Sequence, residues 1–189
     1  MERDRIKWDS KYLQKPNLLN RKEVSFIVKK YFSLAPNKLA LDIAAGGGRH
    51  TLFLEKQGFR VDAVDISKVA TKALKEKVNS SRVNVVEADL DSYEFKKEYY
   101  GLILKINYLD REVIRRAQDS LVRGGLFIIE GYLDDKINQK PSNPNFLLKR
   151  GELKELFDDS FEIIEYIEFE NEPYEIYRMK KAAIVVRKR

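Results

Sequence analysis

The feature that most constrains the fold is a regular alternation of short apolar runs with helical patterns. Five runs read as buried strands: Leu39–Ile43, Phe59–Val64, Val83–Val86, Tyr100–Ile106 and Leu126–Glu130. Amphipathic helical segments separate most of these runs. Strands that alternate with helices in this way form a parallel sheet whose two faces are both covered. The sequence therefore predicts an α/β protein with an open, doubly wound, mostly parallel sheet.

Two β patterns near the C-terminal end, at residues 161–169 and at about 181–187, have no helix between them. Such strands pair antiparallel. Ten acidic residues and one lysine fall within residues 152–175, whereas six basic residues and no acidic residue fall within residues 176–189. We expect these oppositely charged strands to pair with each other at the edge of the sheet.

Local signals place several helix ends. Ser67 is a typical N-cap for the helix that follows the second strand. Asn20 predicts the start of a helix that runs to about Phe32, and Asp110 predicts the start of another that runs through Leu121. Gly124 and Gly125 are expected to end that later helix before the fifth strand.

The composition excludes several classes of protein. The 189 residues and 22.2 kDa fit a single domain, residues 1–189, in which residues 1–20 form a leader. Cysteine is absent, which excludes disulfides, thiolate metal ligands and a cysteine nucleophile. His50 is the only histidine, so no metal site is expected. No apolar run approaches the ~20 residues that cross a bilayer, and the first residues do not resemble a signal peptide. We expect a cytoplasmic protein without a membrane partner.

The net charge of +6 leaves two interpretations open. A protein with a net positive charge attracts anionic partners such as nucleic acid. The lysines and arginines are scattered along the chain, however, and this favours an ordinary solvated surface.

The segment with the clearest chemical signal is residues 41–50, Leu-Asp-Ile-Ala-Ala-Gly-Gly-Gly-Arg-His. It leaves a buried strand and enters a helix, where glycines allow close approach of a ligand and the helix start offers free N–H groups. A G-x-G-x-x-G motif fails because Thr51 replaces the third glycine, and a P-loop fails because Arg49 and His50 follow Gly48. The segment still favours a nucleotide as ligand.

Acidic residues recur at the ends of the first three strands, at Asp42, Asp65 and Asp89. The carboxyl ends of parallel strands meet at one edge of a sheet. An acid at the end of the second strand is well placed to accept hydrogen bonds from a ribose diol. Asp89 can accept from the exocyclic amine of adenine, while the Leu90 N–H faces the ring. The three acids together predict a site for an adenosine group.

With these motifs, residues 24–186 resemble the class I S-adenosylmethionine-dependent methyltransferases, and the Trp8-Asp9…Tyr12 and Gly48-Arg49-His50 segments are similar to the small, tellurite-resistance-type members. The family usually has glycine where Ala44 stands. The resemblance implies a Rossmann-like sheet of seven strands, with the last one antiparallel, and S-adenosyl-L-methionine as cofactor. The cofactor-binding residues that it implies are Asp42, Ala44, Ala45, Gly46, Gly48, Arg49, Asp65, Ile66, Asp89, Leu90 and Asn107.

The acceptor is expected near the tips of the fourth and fifth strands, where Tyr108, Glu130 and Tyr132 are candidates for substrate contact. No catalytic residue is assigned, because the methyl group is already activated on a sulfonium and needs alignment above all. His50 is expected to cap the helix or contact the carboxylate of the cofactor, and Trp8 and Tyr12 are a candidate lid over the cofactor.

The small size of the predicted domain favours a small molecule or a metalloid oxyanion as the methyl acceptor. Three alternatives stay open: RNA or a protein lysine as acceptor, a non-catalytic scaffold with the same fold, and a dehydrogenase.

Overall fold

The computed structural model describes residues 2–138, 144–170 and 179–189. Seven strands form its sheet: β1 Leu39–Ile43, β2 Arg60–Asp65, β3 Val83–Glu87, β4 Tyr100–Ile106, β5 Leu121–Tyr132, β6 Phe161–Glu170 and β7 Lys180–Lys188. The α-helices in the described ranges are α1 Glu2–Gln14, α2 Phe26–Tyr31, α3 Arg49–Lys56, α4 Lys68–Lys77, α5 Arg111–Gln118 and α6 Glu152–Glu155. Short 3-10 turns span Pro16–Asn20, Phe32–Leu34 and Pro144–Phe146.

The strand order is β3-β2-β1-β4-β5-β7-β6. The first five strands in this order run parallel, and β7 is antiparallel to both of its neighbours. This arrangement confirms the predicted Rossmann-like sheet of seven strands. Strand order reverses between β1 and β4, and ligands of such sheets bind outside the carboxyl ends of the strands at this reversal.

Alternate residues of each strand supply two hydrophobic clusters, one on each face. Leu41 in β1 packs in the cluster that contains Ile114 of α5. Ala40, its neighbour, packs in the cluster that contains Val28 of α2 and Leu54 of α3. Helices on both faces fix the central strands, so the carboxyl ends of β1, β2 and β4 form a rigid platform.

The pairing of β6 with β7 confirms the predicted antiparallel pair of charged strands. Glu162 of β6 forms an ion pair with Arg187 of β7 at 3.3 Å. β7 lies between β5 and β6, so the acidic strand is the outer strand of the pair.

The predicted helix start at Asn20 is wrong. Residues 21–25 have no helical structure, and α2 begins at Phe26 after Ser25. Val24 and Ser25 are buried, and the Ser25 N–H donates to Nε2 of His50 at 3.3 Å. Tertiary contacts therefore hold this segment extended against the local capping signal.

The prediction that the helix from Asp110 runs through Leu121 and is ended by Gly124 and Gly125 is also wrong, because α5 ends at Gln118. β5 already begins at Leu121 and includes both glycines. Gly124 has φ +77°, and the register with β4 shifts between Tyr100 and Leu102. The glycine pair therefore marks an irregularity inside the strand, which glycine permits because it adopts a left-handed backbone without strain.

Candidate functional site

The glycine loop turns the chain sharply from β1 into α3. Ala44 has φ +57°, Gly46 has φ +54° and Gly48 has φ +80°. The Gly46 N–H donates to Oδ2 of Asp65 at 2.8 Å, so the loop is tied to the end of the adjacent strand. The Ala45 N–H donates to the Val64 carbonyl at 3.1 Å. These bonds bring the predicted loop residues and Asp65 together.

Close packing behind the loop disfavours a side chain at position 48, because Leu74 would have to move. A Cβ there would lie 2.1 Å from Cδ1 of Leu74, whereas a Cβ on Gly58, with a similar φ of +83°, would meet nothing within 4 Å. We expect Gly58→Ala to lower the free energy of unfolding by about 1 kcal/mol through backbone strain alone. Gly48→Ala adds a steric clash and should cost about 2 kcal/mol. Urea unfolding of both variants measures the difference, and equal losses would contradict the packing argument.

Asp65 lies at the end of β2, buried, with both oxygens facing backbone donors. Its Oδ2 accepts from Gly46, and its Oδ1 accepts from the Ser67 N–H at 2.8 Å. Burial raises the pKa of Asp65. A carboxylate has about four lone-pair positions, so the two backbone bonds leave acceptor capacity for two further donors.

Asp42 lies on the face of β1 that α3 covers. Thr51 of α3 donates its hydroxyl to Oδ2 of Asp42 at 2.6 Å. Burial raises the pKa of Asp42 to about 6. This predicted cofactor residue is therefore placed beneath the loop, where it orients the first turn of α3.

The raised pKa of Asp42 predicts a pH dependence of stability. The folded chain binds this proton more tightly than the unfolded chain, whose carboxyl pKa is near 3.8. The contribution of Asp42 to stability is therefore fully present below pH 3.8 and is lost as the pH rises through about 6. Asp42→Asn should remove this part of the decline, which urea unfolding across the window measures against the unchanged chain. Identical pH profiles would contradict the assignment.

The region predicted for adenine contains a cavity of about 240 Å³. Its lining residues come from the ends of β2 and β3 and from α1: Ile66, Glu87, Ala88, Asp89, Glu2 and Arg5. Oδ1 of Asp89 accepts from the Asp91 N–H at 3.0 Å. Arg116 of α5 donates to the carbonyls of Leu90, Asp91 and Tyr93, and this fixes the loop that carries Leu90.

Asn107 follows β4 with a left-handed φ of +62°. Its N–H donates to the Glu130 carbonyl at 2.8 Å. Its Oδ1 is buried and has no hydrogen-bond partner in the described parts of the chain. Strained backbone and an unsatisfied buried acceptor are both typical of ligand sites.

Lys105, which the sequence analysis missed, supports the tip of β4. It is fully buried, and burial lowers its pKa to about 7. Its Nζ donates to the Tyr108 carbonyl at 2.5 Å and lies 4.6 Å from the centre of the Tyr108 ring. The sequence does indicate that this residue is unusual, because Lys105 is the one charged residue in the apolar run of β4. The Tyr108 ring itself packs against the hydrophobic cluster of α5.

Glu130, a predicted substrate residue, is fully buried and bound on both oxygens. Lys181 of β7, also fully buried, donates to Oε1 at 3.1 Å, and the Ser25 hydroxyl donates to Oε2. Lys181 Nζ also lies 5.1 Å from the ring centre of Tyr132. This network joins the tips of β5 and β7 and leaves Glu130 no exposed surface for a substrate.

Arg49 and His50 both contact the segment that precedes α2. Arg49 donates to the Glu23 carbonyl at 2.9 Å. His50 is buried and accepts from the Ser25 N–H, and burial lowers its pKa well below the usual value. Its imidazole is therefore neutral and supports the segment before α2.

The N-terminal leader contains a helix, α1, whose tertiary contacts include α4 and the glycine loop. Asp9 accepts from the Ser67 hydroxyl at 2.6 Å and from the Val69 N–H at 3.2 Å. The Tyr12 hydroxyl lies 3.1 Å from the position that a Cβ on Gly46 would take. Lys7 lies 5.5 Å from the Phe146 ring centre, beyond β5. α1 thus crosses the carboxyl edge of the sheet, and sequence reasoning missed the role of Asp9.

In the described ranges, no helix has the length and apolar character needed to cross a membrane. Acidic side chains and His50 form no group of three that could hold a metal ion in these ranges. The sequence from Tyr132 to Phe146, which contains Pro141 and Pro144, predicts a long loop, and the structure describes this stretch except at residues 139–143.

Comparison with known families adds an independent observation. Residues 40–125 match a family model described as a methyltransferase domain. The match begins in β1 and ends at Gly125, so it includes the glycine loop, Asp65, Asp89 and Asn107. No curated protein matches the chain.

Several solved structures share the fold. TehB from Haemophilus influenzae has a TM-score of 0.74 and 22% identity over 90% of this chain, which spans 64% of the TehB chain. A 1,6-didemethyltoxoflavin N1-methyltransferase from Burkholderia thailandensis, solved with 1,6-didemethyltoxoflavin and S-adenosylhomocysteine, has a TM-score of 0.75 and 19% identity over 97% of this chain and 86% of its own. An S-adenosylmethionine-dependent methyltransferase from Methanosarcina mazei has a TM-score of 0.70 and 16% identity over 88% of this chain and 98% of its own.

Proposed function

We propose that this chain, which carries a class I S-adenosylmethionine-dependent methyltransferase domain, delivers the methyl group to a small molecule or a metalloid oxyanion. S-adenosyl-L-methionine is the cofactor of this domain class. The acceptor class is our own inference, and the observation that carries it is the position of α1 across the carboxyl edge of the sheet.

The residues present fit the cofactor. Asp65 retains acceptor capacity for a ribose diol, and the cavity beside Ile66 and Asp89 suits the adenine end. The unsatisfied Oδ1 of Asn107 suits a cationic donor such as the amino group of the methionine part. We assign Asp65, Ile66, Asp89, Leu90 and Asn107 to direct contact.

Most of the remaining predicted cofactor residues determine the conformation of the glycine loop and do not contact the cofactor through their side chains. Ala44, Ala45, Gly46 and Gly48 shape its backbone, and Asp42 orients α3 behind it. Arg49 is directed to Glu23 in this structure, so we place it outside the cofactor contacts.

The cofactor supplies an activated methyl group on a sulfonium, so the chain has to position the acceptor and exclude water. Asn107 and Tyr108 lie at the tip of β4, and Lys105 holds the Tyr108 carbonyl. Tyr132 lies at the tip of β5. We propose that Tyr108 and Tyr132 border the acceptor and that Glu130 positions the β5 tip through Lys181.

We further propose that α1 is a lid that opens to admit the cofactor. Tyr12 lies against Gly46, and the cavity of about 240 Å³ is smaller than the ~300–1,000 Å³ of typical ligand pockets. We expect Tyr12 to move away from Gly46 when the ribose binds at Asp65. The bonds from Asp9 to the start of α4 would hold the lid closed.

A lid of this kind supports a small acceptor. With α1 over the strand ends, an acceptor must fit between α1 and the tips of β4 and β5. RNA and folded proteins are too large for such a space, although the net charge of +6 keeps RNA as the second candidate.

Incubation with S-adenosylmethionine labelled on the methyl group, in a cell extract that is then separated into small-molecule, RNA and protein fractions, tests the acceptor class. We expect the label in the small-molecule fraction. Label confined to RNA or protein would contradict the proposal. Absence of cofactor binding in calorimetry at millimolar ligand would instead point to the non-catalytic scaffold.

A further inference from the structure

A second and larger cavity, of about 670 Å³, lies on the outer side of α3. Its apolar lining residues are Val24, Leu52 and Phe53, and Asn20 and Gly47 complete its polar and backbone walls. The five charged residues in the lining are all basic: Arg21, Lys22, Arg49, Lys56 and Lys77. Five of the basic residues that are scattered along the sequence thus line one cavity.

What distinguishes these five basic residues is that they line one cavity, since other basic residues such as Lys68 and Lys72 also lack an ion pair in the described parts of the chain. Elsewhere, Lys96 pairs with Asp62 at 2.7 Å and Lys30 pairs with Glu165 at 2.8 Å. Within the described residues, none of the five forms an ion pair with a carboxylate. Five charges of one sign around one cavity create a positive potential that attracts an anion.

Backbone carbonyls hold two of these cations in place. Lys77 Nζ donates to the Leu19 carbonyl and lies 3.5 Å from the Gly47 carbonyl. Arg49 donates through one nitrogen to the Glu23 carbonyl at 2.9 Å, which leaves its other donors available. Carbonyl bonds fix the positions of the charged groups without neutralising them, so the cavity is preorganised for an anion.

We propose that this cavity binds a phosphorylated small molecule, with its phosphate groups against the basic residues and its organic part on Val24, Leu52 and Phe53. Arginine and lysine are the usual partners of phosphate oxygens. The volume lies within the range of small-molecule sites. An RNA site would instead require a basic surface that extends along the polymer.

The site is distinct from the cofactor site. No residue lines both this cavity and the cavity beside Asp89. Gly47 belongs to the glycine loop but faces this second cavity, on the side of Leu19. The inference therefore does not depend on the acceptor that we propose, and saturation with S-adenosylhomocysteine should leave the second site available.

Calorimetry with inorganic tripolyphosphate as the probe tests the proposal. Lys22 and Lys56 are exposed and make no described hydrogen bond, so Lys22→Glu together with Lys56→Glu should preserve the fold. We expect this double variant to weaken probe binding at least tenfold. The matched control combines Lys68→Glu with Lys72→Glu on the exposed side of α4, has the same net charge, and should stay within twofold of the unchanged chain.

Four results would overturn the proposal. They are no binding of tripolyphosphate to the unchanged chain, equal weakening in the two double variants, displacement of the probe by S-adenosylhomocysteine, and binding of an RNA oligonucleotide without binding of tripolyphosphate. Thermal unfolding of each variant confirms that the comparison is made between folded proteins.

Discussion

Asp65→Ala should weaken the binding of S-adenosylmethionine by about 3 kcal/mol, or roughly 100-fold. The variant would lack the two hydrogen bonds that we expect between the Asp65 carboxylate and the ribose diol. Hydrogen bonds to charged groups contribute about 1.5–3 kcal/mol each. Loss of the bonds to Gly46 and Ser67 adds to the effect, because the glycine loop is no longer tied to β2. Isothermal titration calorimetry measures the affinity.

Asp91→Ala is the matched control for this experiment. Asp91 is exposed, lies two residues after Asp89, and its removal changes the net charge by the same amount. We expect the control to bind the cofactor like the unchanged chain. Equal affinities of the Asp65→Ala and Asp91→Ala variants would mean that the ribose does not contact Asp65.

Lys181→Met should lower the free energy of unfolding by about 3–5 kcal/mol, because it leaves the Glu130 carboxylate buried without its cation. Both side chains of this pair are 0% exposed, and removal of one partner of a buried pair is far more costly than removal of both. Adding Glu130→Gln should therefore recover most of the loss, since an amide oxygen still accepts from Ser25.

The Arg187→Met variant, which breaks an exposed ion pair, is compared with Lys181→Met by urea unfolding. Arg187 pairs with Glu162 at a similar distance of 3.3 Å, but the two side chains are 38% and 52% exposed. An exposed pair contributes about 0–1 kcal/mol. Similar losses for the Lys181→Met and Arg187→Met variants would show that burial does not control the strength of the Glu130 pair.

The strands of the sheet were predicted well because the residues of each strand and helix end indicate its structure without reference to distant parts of the chain. The apolar runs of β1 and β4 and the cap at Ser67 depend on neighbouring residues, and the structure confirms them. The segment after Asn20 was mispredicted because distant groups decide its conformation. Ser25 bonds His50 and Glu130, which lie 25 and 105 residues away.

The site was predictable in position but less so in the orientation of side chains. Parallel strands end together, so acids at strand ends were expected to meet, and Asp65 does meet the glycine loop. Asp42 is directed beneath the loop because it shares a face of β1 with Ala40, opposite to Leu41. The alternation of strand residues already contained this signal. The pairing of Glu130 with Lys181 required the register of β5 and β7, which a sequence does not contain.

A structure of the chain in complex with S-adenosylhomocysteine is the most direct test of the binding mode. We expect both ribose hydroxyls within hydrogen-bond distance of the Asp65 oxygens, the adenine between Ile66 and Asp89, and Tyr12 displaced from Gly46. A nucleoside bound elsewhere, with Tyr12 still against Gly46, would contradict it.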